Sequence, residues 1–157
     1  MRVAAKELGN IGERHAADLL SLRGYSVLAL PTNAPTYDLH ASRNDSSFFV
    51  SVKVSREKQH VRLGSRSSVA KLSVGNFVFA FLPIAGAALD SLDAGKYTLL
   101  ILPAAVARDD SLRVHDAYWA AKGTGVNFSV MVKGYGRHHK EIWPNWMSYA
   151  DAWHLLP

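Results

Sequence analysis

Asp38, Ser51 and Lys53 are the residues of this chain whose types and spacing come closest to a chemical site. The segment Phe48-Phe49-Val50-Ser51-Val52-Lys53-Val54-Ser55 alternates in character. Strand side chains alternate with period two, so Val50, Val52 and Val54 point one way while Ser51, Lys53 and Ser55 point the other. Upstream, Tyr37-Asp38-Leu39-His40-Ala41 alternates as well, and Ser42 to Ser47 between the two runs is rich in turn formers. A hairpin closing at Asn44-Asp45 pairs Arg43 with Ser46 and sets Asp38 opposite Ser51. Directly opposed Cβ atoms lie about 5 Å apart, with Lys53 on the diagonal. A carboxylate and an ammonium on one polar strip, backed by valines, can hold a metal ion and a phosphate.

The elements needed to position that strip are legible in outline. Residues 4–23 read as a helix with Leu8, Ile11, Ala16, Leu19 and Leu22 on one side and Gly24 after its end. Glu13 falls at the margin of that apolar face, and Gly9 and Gly12 permit close packing on a sheet at some cost in helix propensity. Strands are expected at 25–30, around Asp38, at 48–55, 76–82, 97–102 and 126–132. The Gly/Ala-rich stretch from Pro83 to Gly95 reads as a surface excursion. A short helix is expected from Pro103, another over 115–122, and a closing helix over 148–155 capped by Ser148. No repeat, linker or low-complexity tract interrupts the 157 residues, which read as one domain of a mixed α/β sandwich.

The pattern of Asp38 on one strand and Lys53 on the next, with Glu13 on a preceding helix, resembles the PD-(D/E)xK nuclease superfamily. The order helix, strand, strand with Asp, strand with Lys covers residues 4–55. The runs from Asn76 to Leu102 and around Trp143-Pro144-Asn145-Trp146 and Ala152-Trp153 are similar to small members, less specifically. The resemblance implies a restriction-endonuclease-like mixed sheet flanked by helices, and metal-dependent hydrolysis of nucleic-acid phosphodiesters. It implies catalytic roles for Asp38, Lys53 and Glu13. Mg2+ would be held by Asp38, the Val52 carbonyl and Glu13. One departure stands out: Ser51 replaces the acidic residue before the motif lysine. Serine supplies no metal-binding charge, and some members carry that carboxylate on another element. The alternative is a catalytically inactive member of the fold, serving as a nucleic-acid-binding module or as an immunity or inhibitor protein.

Charge distribution bears on the partner. Between Lys53 and Lys71 lie Lys53, Arg56, Lys58, Arg62, Arg66 and Lys71 against Glu57 alone, so this segment carries the whole formal net charge of +5. It also holds Ser55, Gln59, Ser65, Ser67 and Ser68, which can hydrogen-bond phosphate oxygens. Taken by itself it reads as a solvated basic loop. Beside the Asp38/Lys53 strip it reads as a nucleic-acid backbone contact through Arg56, Lys58, Arg62, Arg66 and Lys71. A weaker cluster spans Lys133, Arg137, His138, His139 and Lys140. His40 and His60 read as structural or solvent-facing, and Trp143, Trp146 and Trp153 as packing residues.

Other function classes find no support in the residues. There are no cysteines, which excludes disulfides and thiolate metal sites. No apolar run reaches membrane-spanning length, and the amino-terminal residues lack the apolar core of a signal peptide. A cytoplasmic protein with no membrane partner is the expectation. Neither a zinc-protease His/Glu spacing nor a P-loop occurs.

Overall fold

The computed structural model describes residues 3–57, 59–84, 86–119, 128–131 and 144–157. Helix α1 (Ala5–Leu22) is followed by strands β1 (Ser26–Ala29), β2 (Leu39–Arg43) and β3 (Ser46–Val54). Then come β4 (His60–Gly64), helix α2 (Arg66–Ala70), β5 (Phe77–Pro83), β6 (Tyr97–Pro103), helix α3 (Ala104–Val114) and β7 (Phe128–Met131). Among the described residues, five strands form a mixed sheet in the order β1-β2-β3-β5-β6, and β4 and β7 form a separate two-stranded ribbon. The pairings β1–β2, β2–β3 and β5–β6 are antiparallel, whereas β3 and β5 run parallel.

The hairpin forms because its turn chemistry and its period-two pattern agree. Asn44 adopts a φ of 54°, a conformation that asparagine tolerates better than most residues. Arg43 pairs with Ser46, and the register runs through to Leu39 against Val50, as the spacing predicts. Leu39, Ala41, Phe48, Val50 and Val52 then enter one core with Ala16 and Leu20 of α1 and with Phe77, Phe79 and Phe81 of β5. Gly12 is required at the helix–sheet contact, since a Cβ there would run into Val54 Cγ2. The other sheet face buries Val78, Ala80, Leu82, Leu100 and Leu102 against β4, α2, α3 and Trp146. Burial of β5 on both faces explains its unbroken apolar sequence Phe77-Val78-Phe79-Ala80-Phe81-Leu82.

Four expectations need correction. The apolar stripe of α1 runs through Leu8, Gly12, Ala16 and Leu20, while Leu22 is 81% exposed. The residues after Lys53 are not simply a loop: they form β4 and α2, whose Val61, Leu63 and Val69 are buried. The excursion after Pro83 is anchored by buried Leu89 and Leu92, and the Leu89 amide donates to Arg56 O at 2.7 Å. The chain ends not in one helix but in two short 3-10 turns, Trp146–Tyr149 and Trp153–Leu155. Asp151, at a φ of 50°, separates them, and Ser148 sits inside the first turn, donating to Asn145 O.

Candidate active site

Asp38 lies where the β2–β3 ladder opens. The regular register ends at Leu39 opposite Val50. One residue further, the Asp38 amide donates to Val50 O at 2.9 Å, a shift of one position from the ladder. The pairing of Asp38 with Ser51 that the hairpin register implied is therefore replaced by an irregular step. Thr36, two residues before, holds a φ of 74°. A β-branched residue adopts that conformation only under constraint, at a cost of about 1–3 kcal/mol. The strained turn redirects the chain as it enters β2.

The consequence is that the Asp38 carboxylate does for β3 what the missing backbone of β2 would have done. Its Oδ2 accepts the Val52 N–H at 2.7 Å. In an antiparallel ladder the N–H and C=O of one residue face the same neighbour, so the Val52 carbonyl faces this open edge too. Glu13 comes from α1, one residue past Gly12, where the helix meets Val52 and Val54. Lys53 belongs to the opposite alternation of β3, in register with Ala80, as Ser51 is with Val78.

The charges feel one another across this edge. Burial raises the Asp38 carboxyl above its ordinary value, and the Val52 N–H and the Lys53 ammonium pull it back only in part. Glu13 is raised as well, first by burial and then by the Asp38 charge, with Lys53 acting in the opposite sense. Two half-buried carboxylates that both hold their protons too tightly, each only partly relieved by Lys53, mark a place where a further positive charge would be stabilised. Ser51 is 1% exposed and shares the alternation of Lys53 on β3.

The basic segment is divided by the fold. Arg62 and Lys71 are exposed. Arg66 is exposed but engaged, its Nη1 lying 2.7 Å from Asp116 Oδ1. Arg56 is half-buried and turns into a cleft shared with Lys53 and Arg62. Lys58, the cluster from Lys133 to Lys140 and Trp143 lie outside the described residues. His40 is half-buried against Phe49, with ring centroids 4.9 Å apart, and Trp146 is fully buried with its Nε1 donating to Asp110 Oδ2 at 2.8 Å. An aromatic trio of Tyr37, His40 and Phe49 flanks the site. The sequence signal for it was the pairing of His40 with Phe49 across the hairpin.

No protein-family model and no curated protein matches this chain. Solved structures do. The chain superposes on I-Ssp6803I, a bacterial homing endonuclease, with a TM-score of 0.52 and 19% identity, over 99% of this chain and 91% of that one. The fold is restriction-endonuclease-like. Hjc, a Holliday junction resolvase from the archaeal hyperthermophile Archaeoglobus fulgidus, aligns over 78% of this chain and 83% of its own at 18% identity and a TM-score of 0.49. In this chain Glu13 lies on α1, Asp38 just before β2 and Lys53 on β3, and their charges act on one another.

Proposed function

We propose that this chain binds nucleic acid and hydrolyses its phosphodiester bonds with the help of a divalent cation. The observation that carries the reading is the Asp38 carboxylate, fixed by the Val52 N–H at the open edge of β3 and coupled electrostatically to Glu13 and Lys53. Among the described residues no cluster of three His, Asp or Glu side chains could hold a metal ion. The donors on offer are instead Asp38, Glu13 and the Val52 carbonyl. All are hard oxygens, and they fit Mg2+, which keeps several waters and needs few protein ligands. A bound divalent cation would supply positive charge at the scissile phosphate. Lys53 would stabilise the negative charge that develops on the phosphate oxygens, while the Val52 N–H holds Asp38 in place. Arg56, Arg62 and Lys71, with Lys58 and Arg66, would contact the nucleic-acid backbone.

A second reading is supported by one feature. Ser51 stands buried where an acidic residue would complete the site, which favours a member of the fold that binds nucleic acid, or a protein partner, without cleaving. Calorimetric titration with Mn2+ separates the two. The wild type should bind Mn2+ weakly, more tightly as pH rises and the two carboxyls ionise, and Ser51→Glu should bind it about tenfold tighter by adding a charged oxygen ligand. Equal or weaker binding in the variant, together with no cleavage of duplex, single-stranded or branched DNA or of RNA, would leave the binding-only reading.

A further inference from the structure

Beside Lys53, past the end of β3, lies a cleft of about 390 Å3. Its walls come from the start of α1 at Ala5 and Leu8, from the residues just after β3, from Val61 and Arg62 of β4, and from β5. The floor is apolar and the rim is charged. Lys53, Arg56 and Arg62 line it against a single acid, Glu57, which leaves a formal charge of +2 before His60 is counted. The volume is far larger than one phosphate group and is near the lower end of the range for small-ligand sites.

Arg56 is the unusual member. Its Nη2 is buried and has no hydrogen-bond partner, the one side-chain nitrogen or oxygen in that condition among the described residues. Its backbone is fixed, since Arg56 O accepts the Leu89 amide at 2.7 Å and the neighbouring Ser55 amide donates to Phe81 O at 2.9 Å. A guanidinium N–H withdrawn from water without an acceptor is costly, and such a group calls for a partner such as a bound anion or water. Guanidinium groups match phosphate oxygens in fork geometry. The cleft is lined by Lys53 but not by Asp38 or Glu13, so it shares that one residue with the candidate catalytic edge and otherwise lies outside it.

We propose that this cleft is a binding pocket for the terminal phosphate of a nucleic-acid strand, received by Arg56 with Lys53 and Arg62. A phosphate monoester carries about −1.5 to −2 charges at neutral pH, which matches the pocket's formal +2, whereas an internal phosphodiester carries one. This deepens the proposed function, since the same strand that offers its end to the cleft passes Lys53. It rests on that reading for the strand, though not for the phosphate.

Two measurements test it. In the first, inorganic phosphate is added during thermal unfolding, with sulfate-free buffer at constant ionic strength. It should raise the melting temperature of the wild type and leave Arg56→Ala unmoved, with Arg56→Lys intermediate because it keeps the charge and loses the fork. In the second, fluorescence anisotropy compares short single strands ending in a 5′-phosphate, a 3′-phosphate or hydroxyls only. One phosphorylated end should bind at least about tenfold tighter than the hydroxyl end, and Arg56→Ala should erase that difference. Circular dichroism of both variants confirms folding. Phosphate stabilisation without binding of any strand would sustain the pocket and defeat the nucleic-acid reading. No stabilisation by phosphate and no preference among ends, or a preference that survives in Arg56→Ala, would overturn the pocket.

Discussion

The two edges of β3 are built differently. Toward β5 the ladder is continuous from Val50 to Val54, and the partner strand is buried on both faces. Toward β2 the ladder stops at Val50, and a carboxylate takes over the next backbone donor. One edge satisfies its hydrogen bonds with peptide groups and is covered by apolar side chains. The other satisfies one with a charge that burial has already made uncomfortable. The closed edge serves stability, and the open edge concentrates charge, which is where the proposed function would receive a cation and a phosphate. A polar group placed in that way is a common signature of function in an otherwise consistent fold.

Breaking the closed edge should have the largest effect. Phe79→Ala removes a fully buried ring from the middle of β5 and should cost about 3–5 kcal/mol of stability, read from urea unfolding. Breaking the open edge should reverse the pattern. Asp38→Ala should change stability by only about 1 kcal/mol in either direction, because it leaves the Val52 N–H without its acceptor but also removes a desolvated charge. Any cleavage should fall by at least about a hundredfold, while binding of nucleic acid holds or improves. An unfolding midpoint lowered as far as that of Phe79→Ala would mean the open edge is structural after all.

A finer test uses pH. The Glu13 carboxyl is raised above its ordinary value of 4.5 by burial and by Asp38, so the folded chain holds this proton to higher pH than the unfolded chain does. Its contribution to stability is fully present below the unfolded value and is lost as pH rises through the raised folded one. Glu13→Gln should therefore raise the melting temperature at neutral pH, and the gain should shrink as the solution is acidified through that range. A constant difference between the two proteins from acid to neutral pH would show that Glu13 does not share the edge with Asp38.

The smallest effect concerns the basic segment. Arg62 is exposed, and Arg62→Ala should lower the salt slope of nucleic-acid binding by about one, without regard to sequence. Arg66→Ala should lower it less, because Arg66 already neutralises Asp116 at 2.7 Å. Equal slopes for the two variants would mean that the Arg66–Asp116 pair opens on binding, as exposed ion pairs do at little cost.

What the sequence alone determined is local. The Asn44-Asp45 turn and the alternation on either side dictated the hairpin register, because a slip of one residue would send every valine to the wrong face. The same spacing put Asp38 and Lys53 within one neighbourhood; Glu13 entered only through the family resemblance, and that resemblance agreed with the fold. Tertiary structure decided what depends on distant partners. Periodicity cannot show that β3 pairs in parallel with β5, nor that Val61 and Leu63 in a cationic segment find an apolar cover. The closing residues alternate suitably for a helix, yet Trp146 is drawn into the core and Asp151 breaks the run, since burial outweighs weak helical propensity in so short a stretch. The departure of Asp38 from the ladder was hidden for the same reason. It follows from a strained turn at Thr36 and from a β3 edge left open, and both are properties of the assembled sheet.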